Sequence, residues 1–295
     1  MRRTLRSHFA FCRHLTGLVL VCVLPVLASA AELHVPATVE AGQAFSIPAE
    51  GYGQATFYLI GPDHVVKRTV GLGSDLQIES SDVRTAGRYQ IILCESACTT
   101  ATFDVKAAAP AHLSFFLHPS RVPVSSPDSI DAAAFVFDQY FNLVLTPATV
   151  DFQITPASGA GFSREVSTRR GVAWMRLGST PHEGRVQVTA VLGNVEEARV
   201  IQQVAAEACG LRMKAVPSGN IVTLETDPVR DCSGNALPDG TVVSFTKFDK
   251  DGKSTVDTPI KKGIARVQFN LHGRAQISVA CGVVLGNELA LNGGV

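Results

Sequence analysis

Apolar and polar residues alternate with a period of two along most of the chain, which is the pattern of half-buried β-strands. The segments that show this most clearly are rich in β-branched and aromatic residues, and they are 55–60, 149–154 and 241–246. Turn signals such as Gly61-Pro62-Asp63 and Asp239-Gly240 separate the segments. Residues 195–206 come nearest to a helical pattern, but their valines and isoleucine favour a strand. The pattern therefore predicts an all-β protein.

A short phrase, Gly-Arg-x-Gln followed by alternating apolar residues, occurs three times and begins at Gly87, Gly184 and Gly273. The spacings of 97 and 89 residues are those of a small β-sandwich, which has about 100 residues. The phrase therefore predicts three tandem copies of one unit.

Two further repeats link the middle and last thirds of the chain. Arg169-Arg170-Gly171 recurs as Lys261-Lys262-Gly263 after 92 residues. Four anchors recur at an offset of 93: Asp138, Asn142, Val150 and Phe152 correspond to Asp231, Asn235, Val243 and Phe245. Alanine-rich linkers at 107–111 and 205–208 place the boundaries. We expect domains at 31–107, 112–206 and 207–295, the first being the divergent copy.

Residues 81–91 resemble the immunoglobulin phrase Asp-x-Ala-Gly-x-Tyr-x-Cys at the start of strand F. In that phrase the tyrosine hydroxyl, here that of Tyr89, binds back to the corner of the chain. Ile91 stands where the core cysteine would be, so the inter-sheet disulfide of antibody domains is not expected.

The other two units resemble bacterial Ig-like domains of the invasin and intimin type. Residues 231–245 contain the characteristic Asp, Gly-Asn, Pro and Val-x-Phe in order. The middle unit keeps Asp138 and Asn142 but has Phe141 in place of the glycine. The resemblance implies three tandem immunoglobulin-like β-sandwiches and says little about activity, because such modules serve as stalks, adhesins and accessory domains.

The N-terminus reads as a cleavable signal peptide, residues 1–30. A basic start containing four arginines precedes an apolar run at 15–27 and the small-residue site Ala28-Ser29-Ala30. The run of about 13 residues is shorter than the roughly 20 needed for a membrane anchor. We therefore expect an exported protein in the periplasm, at the cell surface or outside the cell, with no stable membrane insertion after cleavage.

Cleavage would remove four of the 26 basic residues and none of the 26 acidic ones, leaving a mildly acidic protein. Nucleic-acid binding needs a concentrated basic face, and the sequence has no such run. We expect no nucleic-acid partner.

Five cysteines follow the signal segment: Cys94, Cys98, Cys209, Cys232 and Cys281. Export makes disulfides plausible, and the odd number leaves one thiol over or pairing between chains. Cys94 and Cys98 flank a three-residue turn and are expected to bridge it. In the last unit all three cysteines fall at one end of the sandwich, so the pairing is open. We expect a long-range bridge from Cys281, with Cys232 as the favoured partner over Cys209. Closing the roughly 50-residue loop from Cys232 would stabilise the unit by about 4 kcal/mol, and Cys281 itself shares the inward parity of Ile277 and Val279.

The candidate chemistry is sparse. The six histidines after the signal segment are scattered singly, at His34, His64, His112, His118, His182 and His272. No nucleophile elbow, phosphate loop or dinucleotide fingerprint occurs, and Asp249-Lys250-Asp251-Gly252 lacks the ligands of a calcium loop and reads as a hairpin turn. We predict no catalytic, metal or cofactor site.

Trp174 is the one candidate contact residue. The alternation of the last unit, transferred to the middle one, puts Ala173 and Met175 inside and Trp174 outside, beside Arg176. Such a tryptophan either lies over the sandwich face or a domain junction, or contacts a partner or sugar.

The sequence thus predicts an exported, non-enzymatic structural, adhesive or protein-interaction module with an unknown protein or glycan partner. The alternative is a carbohydrate-binding protein of the cell envelope with Trp174, Tyr58 and Tyr140 as stacking platforms, although aromatic residues are few.

Overall fold

β-Strands form almost all the regular structure of the computed structural model, which describes residues 33–292. The predicted signal peptide lies outside these residues. Within them a single 3₁₀ turn, Ser80–Val83, is the only helix. The all-β prediction is confirmed, and residues 195–206 contain a strand as expected.

Unit one contains seven strands in two sheets. The strands are β1 (Thr38–Glu40), β2 (Phe45–Ile47), β3 (Gln54–Ile60), β4 (Val65–Gly71), β5 (Leu76–Ile78), β6 (Gly87–Cys94) and β7 (Cys98–Lys106). Five strands form a sheet in the order β1-β7-β6-β3-β4, and β2 pairs with β5 to form the other sheet. The Gly-Arg-x-Gln phrase begins β6, a central strand of the larger sheet.

Unit two contains eight strands. They are β8 (Pro110–His118), β9 (Arg121–Pro123), β10 (Ile130–Asp138), β11 (Thr149–Pro156), β12 (Phe162–Ser167), β13 (Val172–Leu177), β14 (Gly184–Leu192) and β15 (Val195–Val204). One sheet has the order β13-β10-β8 and the other β12-β11-β14-β15-β9. The strand β10 shows the strictest alternation, with every second side chain buried.

Unit three repeats this arrangement. Its strands are β16 (Met213–Ser218), β17 (Ile221–Thr226), β18 (Val242–Asp249), β19 (Gly252–Pro259), β20 (Arg266–Asn270), β21 (Arg274–Cys281), β22 (Val284–Leu285) and β23 (Leu289–Asn292). One sheet has the order β16-β17-β20, and the other contains β19-β18-β21-β22 with β23 also paired to β21. Asp249 and Gly252 pair across the β18–β19 hairpin, as the turn signal predicts.

Each unit has its own hydrophobic core between its two sheets. The aromatic centres are Phe57, Tyr89 and Phe103 in unit one, Phe115 and Phe152 in unit two, and Phe245 in unit three. Burial of these side chains stabilises each sandwich by about 2 kcal/mol per large apolar residue. The separate cores are what tandem sandwiches require.

Candidate interaction surface

Trp174 lies on the outer face of the three-stranded sheet of unit two. Its side chain is 53% exposed, whereas Ala173 and Met175 on either side are buried, so the strand parity transferred from unit three is correct. The sheet register places Trp174 opposite Ala133 of β10, and Ala133 opposite Phe116 of β8. Phe116 is 60% exposed. The sheet therefore presents a row of two large aromatic side chains separated by a small one.

Two neighbouring side chains fix the geometry of this row. Phe135, one row further along β10, contacts Phe116 edge to face with a ring-centroid distance of 5.7 Å. Arg176 places its guanidinium 5.4 Å from the Trp174 ring and donates a hydrogen bond of 2.9 Å to Asp131. Cation–π and ion-pair contacts of this kind restrain the arginine over the indole. We call Trp174, Ala133 and Phe116, together with the adjoining Phe135, the aromatic row.

A groove of 780 Å³ runs beside Trp174 between strands β12 and β13. Both strands are the outermost strands of their sheets. Three exposed arginines, Arg164, Arg169 and Arg176, line the groove together with one glutamate, Glu165. The groove is thus locally basic in a protein whose part after residue 30 is mildly acidic.

Phe116 is the functional candidate that sequence reasoning missed. Leu113 and Phe115 alternate inward along β8, which makes Phe116 outward-facing by the same parity argument that located Trp174. The alternation along β8 thus indicated an exposed Phe116. Its place beside Trp174 depends on which strands are neighbours in the sheet, and the sequence does not show strand order.

The other aromatic candidates do not gather around Trp174. Tyr58 lies in β3 of unit one with Lys67 over its ring at 5.4 Å. Tyr140 packs against the core cluster of unit one. The three side chains therefore do not form a shared stacking platform, and the carbohydrate-binding alternative is not favoured.

The tyrosine corner predicted for unit one is present. The Tyr89 side chain is fully buried, and its hydroxyl donates a hydrogen bond of 3.0 Å to the Thr85 carbonyl oxygen. Burial, with the nearby Asp63 carboxylate, raises the pKa of Tyr89. A Cβ added at Gly61 would lie 2.5 Å from the ring, so this position requires glycine. The Tyr89 hydrogen bond restrains the backbone at Thr85, within residues 84–86 that precede the strand glycine Gly87.

The disulfide pattern is partly as expected. Cys94 and Cys98 form a bridge across the β6–β7 hairpin. In unit three, however, the bridge joins Cys209 to Cys232 and leaves Cys281 as a buried free thiol, so the expected Cys281 bridge is wrong. The cause is local: the Cys209 amide donates to the Arg230 carbonyl oxygen, which aligns the first segment of the unit with the loop carrying Cys232.

Cys281 does have the inward parity that the sequence indicates. It lies in the core of unit three, where burial raises the pKa of its thiol. Its inward parity places Cys281 among the apolar side chains of that core. Inward parity at Cys281 therefore indicates burial of the side chain and not a disulfide bridge.

The repeated segments Asp138–Asn142 and Asp231–Asn235 form turns of the same structure. Asp138 Oδ1 accepts hydrogen bonds from the amides of Tyr140 and Asn142, and Asp231 Oδ1 accepts them from those of Ser233 and Asn235. Phe141 adopts a left-handed φ of 63°, matching the 87° of Gly234, so the substitution of phenylalanine for glycine leaves the turn intact. We call these two segments the docking turns.

Among residues 33–292, no group of three or more His, Cys, Asp or Glu side chains is arranged to hold a metal ion. The same part of the chain has no helix of the length and apolarity required to cross a membrane.

No protein-family model matches the chain, and no curated protein sequence matches it either. Solved structures do. The Escherichia coli adhesin FdeC aligns with 89% of this chain and 96% of its own, at 13% identity and a TM-score of 0.58. Invasin, a bacterial integrin-binding protein, aligns with 90% of this chain and 60% of its own, at 10% identity and a TM-score of 0.49. Titin domains A168–A170 align at 12% identity and a TM-score of 0.41, covering 89% and 97% of the two chains.

The similarity to FdeC identifies the fold as a tandem array of immunoglobulin-like β-sandwiches. The resemblance inferred from the docking turns and the tyrosine corner is therefore confirmed at the level of fold.

Proposed function

We propose that the protein is an exported, non-enzymatic adhesive or protein-interaction module that binds a protein partner through the aromatic row of unit two. The exposed pair Trp174 and Phe116 on an open sheet face is the observation that carries this proposal. Exposed aromatic side chains beside arginine are the composition of binding hot spots, and an isolated stalk has no need to expose them together.

The groove favours an extended, acidic segment of the partner. Arg164 and Arg169 at the groove attract carboxylates, and β13 is an outermost strand along which another strand can pair. The aromatic row starts at Trp174 on the same strand and crosses β10 and β8, where it would contact apolar side chains of the partner. The fold shared with the adhesin FdeC supports an adhesive role.

Affinity capture from envelope extract, with the chain beginning at Ala31 as bait, tests the proposal. We expect a captured protein whose retention falls by at least tenfold with Trp174→Ala or Phe116→Ala. Phe248→Ala is the matched control, since Phe248 is 61% exposed but lies on unit three. Equal retention by all three variants would contradict a role for the aromatic row.

Trp174 is also a direct reporter of binding, because it is the single tryptophan of the chain. Addition of the purified partner should shift its fluorescence emission to shorter wavelength as water leaves the indole. Glycan binding that depended on Trp174 would instead support the carbohydrate alternative.

A further inference from the structure

The two docking turns contact the preceding unit through the same side chain. At the first junction, Asn142 Nδ2 donates to the Arg84 carbonyl oxygen at 2.7 Å, and Asn142 Oδ1 accepts from the Ala86 amide at 2.7 Å. At the second junction, Asn235 Nδ2 donates to the Pro181 carbonyl oxygen at 2.9 Å, and Asn235 Oδ1 accepts from the Glu183 amide at 3.4 Å. One carboxamide thus satisfies one backbone acceptor and one backbone donor in each case.

The backbone groups that receive the two asparagines occupy equivalent positions. Arg84 and Ala86 stand three and one residues before Gly87, and Pro181 and Glu183 stand three and one residues before Gly184. We call residues 84–86 and 181–183 the docking loops. Because the contacts are to backbone, unit one receives the turn although its sequence has diverged.

The aspartate of each docking turn holds the linker between the units. Asp138 Oδ2 accepts from the Ala108 amide at 2.9 Å, and Asp231 Oδ2 accepts from the Ala206 amide at 3.0 Å. Both carboxylates are buried, and each also accepts a hydrogen bond from the asparagine of its own turn. Linker, turn and preceding unit are therefore joined through two adjacent side chains.

A second contact repeats beside the first. Tyr140 and Ser233 each lie two positions after the aspartate of their turn, and each contacts a residue of the preceding unit. The residues contacted, Gly42 and Ser125, both have a left-handed φ. Tyr140 lies so close over Gly42 that an added Cβ would be 2.0 Å from its hydroxyl oxygen. Ser233 Oγ lies 2.7 Å from Ser125 Oγ. Gly42 and Ser125 correspond, since their amides donate to Val83 and Thr180, each four residues before the strand glycine.

The repeat spacings reflect this arrangement. The docking turns recur after 93 residues, but the last two Gly-Arg-x-Gln phrases are 89 apart. Three of these four residues lie in one loop: six residues, 178–183, connect β13 to β14, whereas three, 271–273, connect β20 to β21. Unit one, in turn, has Pro-Ala-Glu-Gly-Tyr-Gly at 48–53 between β2 and β3, with neither the aspartate nor the asparagine. Docking loops thus occur in units one and two, and docking turns in units two and three.

From this pairing we infer that Asn142 and Asn235 are the binding residues of a dedicated inter-unit docking site, which recognises the loop before the strand glycine and fixes the orientation of successive units. The ligand of each docking turn is the two-point backbone pattern of that loop. The inference concerns assembly of the chain and is independent of the aromatic row.

Distances between spin labels on successive units test this site. Labels on Thr102→Cys and Thr155→Cys, two exposed strand positions, report the first junction. Labels on Thr155→Cys and Ser254→Cys report the second. In the chain beginning at Ala31, Asn142→Ala should replace a narrow distance distribution by a broad one at the first junction and leave the second unchanged, and Asn235→Ala should do the converse. Elastase cleavage at the alanine-rich linker concerned should accelerate about tenfold, as expected for loss of two hydrogen bonds.

Asn287→Ala is the matched control. The Asn287 side chain makes the same two-point contact with backbone, donating to and accepting from Met213, but within unit three. It should leave both distributions narrow. If Asn142→Ala unfolds unit two, Asn235→Ala carries the test, because Asn235 is only half-buried. Narrow distributions in a folded Asn235→Ala variant, or broadening by Asn287→Ala equal to that by Asn235→Ala, would overturn the inference.

Discussion

At the scale of single residues, the inward or outward parity of a strand position decides what a substitution does. Val267 of β20 faces the core of unit three, and Gln268 next to it faces solvent, where its amide contacts Thr223. The two residues are consecutive in the chain, but their side chains point to opposite faces of the sheet.

Val267→Asp should lower the free energy of unfolding of unit three by about 3–5 kcal/mol, because an unpaired charge is forced into an apolar core. Gln268→Asp should change it by about 0.5 kcal/mol or less. Urea unfolding of both variants, followed by circular dichroism, measures the difference. Similar losses in the two variants would mean that the register of β20 is wrong.

The cysteines of unit three provide a second residue-scale prediction. In the oxidised chain beginning at Ala31, a thiol reagent should find one reactive group, Cys281, and only after unfolding, since the side chain is buried. Cys209→Ser should destabilise unit three by about 3 kcal/mol, the loop-entropy value for a bridge that spans 23 residues. Peptide mapping that showed Cys281 in a disulfide would contradict this assignment.

At the scale of the element, the docking turn shows what a sequence signal can and cannot specify. The 93-residue offset of Asp138 and Asn142 identified the turn, and the glycine–phenylalanine exchange left its backbone unchanged because Phe141 accepts the left-handed conformation. The partners of the asparagines could not be read from sequence, since they are backbone groups of the preceding unit. Tyr89 was identifiable because the corner it forms is local, with its acceptor four residues away.

The docking turns should respond to acid. Burial by itself would raise the pKa values of Asp138 and Asp231, but hydrogen bonds from the adjacent asparagine and three backbone amides outweigh it and lower both values. Stabilisation by a carboxylate with a depressed pKa is complete above its unfolded pKa of about 3.9, and it is lost as the pH falls through the lower folded value.

Asp138→Asn should therefore destabilise unit two by about 1–3 kcal/mol at pH 7, and the difference from wild type should shrink below about pH 4. Trp174 fluorescence during urea unfolding of the whole chain reports unit two specifically. Asp131→Asn, at an exposed ion pair, is the control and should cost about 1 kcal/mol or less. A wild-type advantage over Asp138→Asn that stayed constant down to pH 3 would refute the role of the carboxylate.

At the scale of the whole molecule, the sequence was sufficient for fold class and number of units, because alternation and internal repeats are carried by the residues themselves. It was insufficient for the aromatic row and for the Cys209–Cys232 bridge, both of which depend on which strands and loops become neighbours. The domain boundaries remain a prediction of the linker composition.

Residues 112–206 and 207–295 should each fold alone as β domains, since each contains a complete core cluster. Circular dichroism and cooperative thermal unfolding of the two fragments check this. Appreciable helix, or no cooperative transition in either fragment, would rule out independent sandwiches.

Repeated docking turns join the three immunoglobulin-like sandwiches in fixed orientations. Residual dipolar couplings of backbone amides, measured on the weakly aligned chain beginning at Ala31, test this arrangement. We expect a single alignment tensor to fit the couplings of all three units. Separate tensors of different magnitude for units one, two and three would contradict it.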